Sequence, residues 1–177
     1  MPNLIAAVPR VLLAIAWLAL APAAGLADRA DPDAGTPTIR AADLSTLLAR
    51  RGTWVLFDAR EEVEFTVSHI AGAIRVPKGI DYAAFVTAQK ERVRGKTVVF
   101  YCSTSSRSAE FALGVEDELL RAGAGAVYVL EGGLFAWHNE RRGLVDAKGP
   151  TEYLHPFQSE LKSRMTRPDL ARWAPRT

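Results

Sequence analysis

The chain has 177 residues, 24% of them charged, and a formal net charge of +2. That near-balance removes the electrostatic case for a nucleic-acid partner or for a general membrane surface. One cysteine in the whole chain excludes an internal disulfide, and three scattered histidines without cysteines nearby make no metal-ligand spacing.

The first 27 residues read as a secretory signal peptide. Arg10 is their only charge, residues 11–21 are apolar, and PAAGLA at 22–27 offers small residues for cleavage after Ala27, with Ala24 as the second choice. The uncharged run 11–27 is shorter than the ~20 residues of a spanning helix, and Pro22 and Gly25 interrupt it. Retention as an anchor is the alternative, and only then would a membrane be a partner. The expected location is periplasmic or secreted. Cleavage would remove Arg10 alone and take the formal charge from +2 to +1. Residues 28–37 (DRADPDAGTP) read as a flexible leader. About 150 residues remain, enough for one domain with a real core.

Strand and helix signals then alternate. Ile39 is a short extended start, and residues 41–50 (AADLSTLLAR) are helical, with Leu44, Leu47 and Leu48 on one face and Gly52 following. WVLFDA at 54–59 is a buried strand ending in a carboxylate, and residues 61–69 form a helix that opens with acids. A short strand GAIRVP closes at Pro77, a weaker helix covers 81–93, and residues 96–101 form the next strand. A helix over 107–122 places Phe111, Val115 and Leu119 on one face. The strand AVYVL at 126–130 leads through Gly132 and Gly133 into a helix reaching Arg142. Units this short predict an α/β fold, a parallel sheet with helices on both faces in three layers. Residues 146–177 differ, being basic, aromatic and punctuated by proline, with one helical turn at 160–164. They read as an extension packed on the domain, with a disordered tail or a partner-binding segment as alternatives.

Cys102 sits where the strand at 96–101 ends and the next helix begins. The unpaired N–H groups and positive dipole end of a helix N-terminus favour a thiolate over a thiol. The loop adds the hydroxyls of Ser103, Thr104, Ser105, Ser106 and Ser108 and the guanidinium of Arg107, all able to hydrogen-bond an anion. Ligands of parallel α/β sheets collect at the carboxyl ends of strands. An unpaired thiol in an exported protein is an intermolecular link or a reactive group. Cys102 therefore reads as a nucleophile in an anion cradle rather than a small buried apolar residue.

Three segments together resemble the rhodanese family. WVLFDAREEVEFTVSHIAGAIRVP is similar to its strand, Asp-x-Arg, acidic helix and His-Ile-x-Gly-Ala. VVFYCSTSSRSAEFA resembles its active-site loop and helix, and VYVLEGGLFAWHNE its closing strand, Gly-Gly turn and aromatic helix. They follow the family's order over residues 38–145, leaving 146–177 as the C-terminal extension. The resemblance implies a single domain whose Cys102 carries sulfane sulfur from a small anionic donor such as thiosulfate to a thiol or cyanide acceptor, or to an acceptor protein, with no cofactor. Four residues, Ser103 to Ser106, separate Cys102 from Arg107, the family's sulfurtransferase spacing; its dual-specificity phosphatase relatives have five. Two departures stand out: Ser103 replaces the second cation of many members, and Ser105 stands where glycine is common. They predict a weak affinity for thiosulfate and a backbone cost at Ser105 of ~1 kcal/mol.

Asp58 and Arg60 read as structural support, Asp58 accepting from backbone N–H groups and Arg60 pairing with Glu61 or Glu64. His69 reads as structural, Gly132 and Gly133 as a tight turn, and Trp137 as core; His138 and His155 are isolated. The competing function is a non-enzymatic module of the same fold that docks a partner protein. A phosphatase or arsenate-reducing enzyme is disfavoured by loop length, and a thiol–disulfide oxidoreductase by the lack of a resolving cysteine.

Overall fold

The computed structural model describes residues 35–177; the expected signal at 1–27 and most of the leader lie outside them. Five parallel strands form one sheet: β1 (Thr38–Ile39), β2 (Trp54–Asp58), β3 (Ile74–Arg75), β4 (Thr97–Tyr101) and β5 (Ala126–Leu130), in the order β1-β5-β4-β2-β3. β4 lies in the middle, paired with β2 and β5. Its continuous apolar run suits a strand covered on both faces, and Val98, Val99, Phe100 and Tyr101 are all buried.

The crossover helices divide between the two faces. α1 (Ala41–Leu48) and α5 (Gly133–Asn139) cover one face, where Leu44, Leu134, Phe135 and Trp137 pack on Leu56, Val99, Tyr101 and Leu130. α3 (Tyr82–Val93) and α4 (Ser106–Arg121) cover the other, with Phe85, Val115 and Leu119 on Phe57, Phe100 and Val127. Phe85 stands edge-on to Phe57 at 5.0 Å and to Phe111 at 5.0 Å. Each such buried side chain contributes about 1.5–3 kcal/mol. The helix periods read from the sequence place these faces correctly. α1 stops at Leu48 and α5 at Asn139, both short of the expected ends; beyond them Trp54, partly buried, and Leu144, buried, pack on the same core.

α2 (Glu62–Val67) sits at the carboxyl end of the sheet. It opens with a capping box in which the Glu61 and Glu64 side chains take each other's backbone N–H groups. Beyond α5, β6 (Leu144–Asp146) and β7 (Gly149–Thr151) form an antiparallel hairpin, so position 146 falls inside a strand. The remainder lies against the face carrying α5: Leu154 and Met165 are buried in that core. A 3₁₀ turn occupies Ser159–Arg164, and Leu154 is tied in both directions to the 170–172 backbone.

Candidate active site

Register brings the chemistry together. Asp58 is paired with Tyr101, so the carboxyl ends of β2 and β4 lie side by side with Cys102 one residue beyond. Residues 102–105 turn the chain from β4 into α4, a turn that requires a left-handed residue, and Ser105 supplies it at φ +84°. The Ser105 hydroxyl donates to the Thr104 carbonyl. The Ser105 carbonyl in turn accepts from the Ser108 hydroxyl at 2.8 Å and from the Ala109 N–H at 2.8 Å. The strained residue is thus pinned from both sides, the condition under which such a conformation persists.

α5 fixes the loop from outside. The Leu134 N–H donates to the Cys102 carbonyl at 2.8 Å and the Phe135 N–H to the Ser103 carbonyl at 3.0 Å. Gly133 makes this approach possible: a Cβ there would lie 2.5 Å from the Cys102 carbonyl oxygen. Gly132 meets the expectation of a tight turn, at φ +65°, and Gly133 adds a close backbone contact that the sequence reading did not foresee.

Arg107 does not reach out alone. Its Nη1 donates to Glu64 Oε2 at 2.8 Å and its Nη2 to Glu64 Oε1 at 2.9 Å and to the Ser103 hydroxyl at 3.1 Å. The Ser103 hydroxyl donates to Glu64 Oε1 at 2.8 Å. Burial opposes the Glu64 carboxylate, but the hydrogen bonds and charge of Arg107, then Ser103, hold its pKa below the usual range. Burial likewise opposes the Arg107 cation, and the hydrogen bonds and charge of Glu64 outweigh it and raise its pKa. The ring of Phe157, from the C-terminal segment, covers the flat face of the guanidinium with Cζ 4.1 Å from its centroid.

Asp58 and Arg60 form a separate framework. Both side chains are fully buried, and Arg60 binds both carboxylate oxygens, with Nη2 2.6 Å from Oδ2. Asp58 also accepts the Arg60 N–H at 3.0 Å, and Arg60 Nη2 donates to the Ser68 carbonyl at 2.7 Å. The pairing of Arg60 with Glu61 or Glu64 is therefore corrected. The chain turns tightly enough at Ala59 to fold Arg60 back on Asp58, and Glu64 is taken by Arg107. Tyr101 closes this framework, its hydroxyl accepting the Ile70 N–H at 3.2 Å. Burial first, then the Asp58 charge, pushes the Tyr101 phenol well above its ordinary pKa.

The candidate residues thus separate by position. Cys102 is the first residue of the loop and is 1% exposed. Ser103 and Ser108 are buried, and both hydroxyls, expected in the anion cradle, instead bond the frame: Ser103 to Glu64, Ser108 to the Ser105 carbonyl. Ser106 is exposed at the start of α4. Thr104 borders a cleft of about 200 Å³ shared with Asn139 and Arg164. A larger cavity of about 500 Å³ opens beside Arg107, walled by Arg60, Lys78, Tyr82 and Phe111.

The remaining singled-out residues have structural partners. His69 Nδ1 is 2.9 Å from the Phe65 carbonyl and the two rings stack at 3.8 Å. His138 Nε2 lies 2.9 Å from the Glu152 carbonyl, His155 Nδ1 accepts the Phe157 N–H at 3.0 Å, and Trp137 Nε1 donates to the Gly143 carbonyl at 3.0 Å. Among the described residues no group of three His, Cys, Asp or Glu side chains could hold a metal. Sequence reasoning missed Glu64 as the partner of Arg107 and Phe157 as its cover. The first-turn acid of α2 was the only available sign of Glu64, and nothing in the sequence marks Phe157.

Residues 40–140 match the rhodanese-like domain family. An "Uncharacterized protein slr1261" from Synechocystis sp. is 37% identical over 101 residues, which are 57% of this chain and 51% of that protein. A "Probable adenylyltransferase/sulfurtransferase MoeZ" from Mycobacterium tuberculosis is 34% identical over 112 residues, 63% of this chain and 27% of that protein. The chain therefore spans about half of the first relative's length and about a quarter of the second's. The crystal structure of the BH2092 protein from Bacillus halodurans superimposes with a TM-score of 0.52 at 22% identity, covering 64% of this chain and 80% of that one, a likeness of fold.

Proposed function

The chain belongs to the rhodanese-like domain family, and on that premise we propose that it is an exported sulfurtransferase that carries sulfane sulfur as a persulfide on Cys102. The observation that carries this reading is the loop itself. Cys102 directly follows the central strand, its carbonyl is held by Leu134, and four residues separate it from an arginine whose guanidinium is held by Glu64 and by the hydroxyl of Ser103, the residue next to Cys102.

The chemistry is two nucleophilic displacements. The Cys102 thiolate attacks the outer sulfur of thiosulfate; an Sγ–S bond forms, the donor's S–S bond breaks, and its electron pair leaves with sulfite. A cyanide or thiolate acceptor then attacks the terminal sulfur. The Sγ–S bond breaks, its pair returns to Cys102, and thiocyanate or a new persulfide departs. Neither step needs a general acid, because sulfite and the Cys102 thiolate both leave as stable anions. The loop amides and the N-terminus of the sixteen-residue α4 stabilise negative charge on sulfur in both steps. Arg107 adds a cation whose charge Glu64 largely balances, consistent with a weak affinity for the dianionic donor.

Steady-state turnover of thiosulfate with cyanide tests the reading. Parallel double-reciprocal lines, and thiocyanate production lost in Cys102→Ser, support it; intersecting lines or turnover that survives the substitution argue against a persulfide on Cys102. Export through residues 1–27 belongs to the same proposal. N-terminal sequencing of protein from the periplasmic fraction checks it, with Asp28 the expected first residue.

A further inference from the structure

Phe157 adopts φ +63°, a conformation in which an aromatic residue is a genuine outlier. Such strain persists only where the surroundings over-determine it, and here they do. The Phe157 N–H is held by His155 Nδ1 at 3.0 Å, and the Gln158 N–H by the Pro156 carbonyl at 2.7 Å. Leu154 is tied to Leu170 and Arg172, and the His155 ring rests edge-on against Trp173 at 5.2 Å. What this strained turn achieves is the placement of one ring on the face of Arg107. Both terminal nitrogens of that guanidinium are already engaged by Glu64 and Ser103, and the ring adds a contact on its face.

We infer that Phe157, which lies beyond the family domain of residues 40–140, is a positioning residue that holds the Arg107 guanidinium beside Cys102. The C-terminal segment thereby completes the active site. A ring at this distance attracts the cation and shields its ion pair from water. Without it, a long side chain that is 29% exposed regains the rotamer freedom that arginine otherwise loses on fixing. The kinetic consequence rests on the sulfur-transfer reading above; the positional one does not.

The test uses the full chain with Phe157→Leu, Phe157→Gly and Phe157→Tyr, beside Arg107→Ala. The glycine variant relieves the backbone strain while removing the ring, so its fold is kept where the ring is lost. The first readout is the rate of Cys102 alkylation by iodoacetate relative to iodoacetamide, which reports positive charge at the thiol without any sulfur transfer. The ratio is expected to fall in Phe157→Leu and Phe157→Gly toward that of Arg107→Ala, and to be restored in Phe157→Tyr. The second is the thiosulfate KM, expected to rise about tenfold in the same two variants with kcat nearly unchanged. An unchanged alkylation ratio in both ring-less variants, or no fall in Arg107→Ala, overturns the inference. A ratio that falls as expected in a protein that accepts no sulfur upholds the positioning role and refutes the sulfur-transfer reading instead.

Discussion

Arg107 and Glu64 meet edge to edge, Nη1 2.8 Å from Oε2 and Nη2 2.9 Å from Oε1, although they lie 43 positions apart in the chain. This pair joins the loop that carries Cys102 to the first turn of α2 and takes up the one cation that the loop contributes. The Glu64 side chain is 2% exposed and that of Arg107 29%, so the pair is screened on one side only.

Replacing Glu64 by Gln should cost about 1–3 kcal/mol, because it leaves Arg107 partly buried against a neutral partner. A carboxyl whose pKa falls on folding stabilises the fold above its unfolded value, about 4.3. That stabilisation disappears as pH drops through the lowered folded value. Since Glu64 is lowered, urea unfolding of the parent should lose stability below about pH 4.3, and Glu64→Gln should lose less over the same interval. Identical acid limbs would contradict the assignment.

Ser105 is the reverse case, a residue the loop would rather not have. At φ +84° its side chain carries a cost that glycine escapes, less the extra unfolded-state entropy of glycine. Ser105→Gly should therefore gain up to about 1 kcal/mol in urea unfolding and keep its activity, while Ser105→Val should lose at least that much. Equal stability of all three would mean that the turn is not strained.

Gly133→Ala should damage the loop from outside. Its Cβ would stand 2.5 Å from the Cys102 carbonyl oxygen and 2.7 Å from the Ser103 carbonyl carbon and oxygen, and backbone cannot swing aside as a side chain can. A loss of about 1–3 kcal/mol is expected. Sulfur-transfer kcat should fall further than stability alone explains, because the cradle is displaced. Crystallography of the variant should show the loop displaced; an unshifted loop with full turnover would refute the clamp.

Asp58→Ala should be among the most destabilising single changes, at about 3–5 kcal/mol, since it strands a fully buried guanidinium. Much of that should return in the double variant Asp58→Ala, Arg60→Met, where no charge is left unpaired. Denaturant titration of the four proteins in this cycle measures the coupling, and additive losses would show that the two side chains act independently.

How much of this was readable in the chain follows physical lines. The strand–helix alternation, both helix-covered faces and the strand-end position of Cys102 came from hydropathy periods, which depend on residues close in sequence. The cost at Ser105 was legible only through the family resemblance, because glycine is common at that position of the rhodanese loop and a serine there carries a side chain. The partner of Arg107 was not, because register decides which of several acids (Glu61, Glu62, Glu64) comes within reach. Ser103 and Ser108 look like anion ligands in sequence, since a hydroxyl carries no mark of which way it faces. Phe157 was least legible of all: its role depends on a backbone conformation that its residue type argues against.

The central claim is that Cys102 accepts sulfur, and intact mass spectrometry reads it most directly. The purified, reduced protein is incubated with thiosulfate beside Cys102→Ser. A gain of about 32 Da that vanishes with a thiol reductant and never appears in the variant is the predicted result. A folded, reduced protein that gains no mass would contradict the claim.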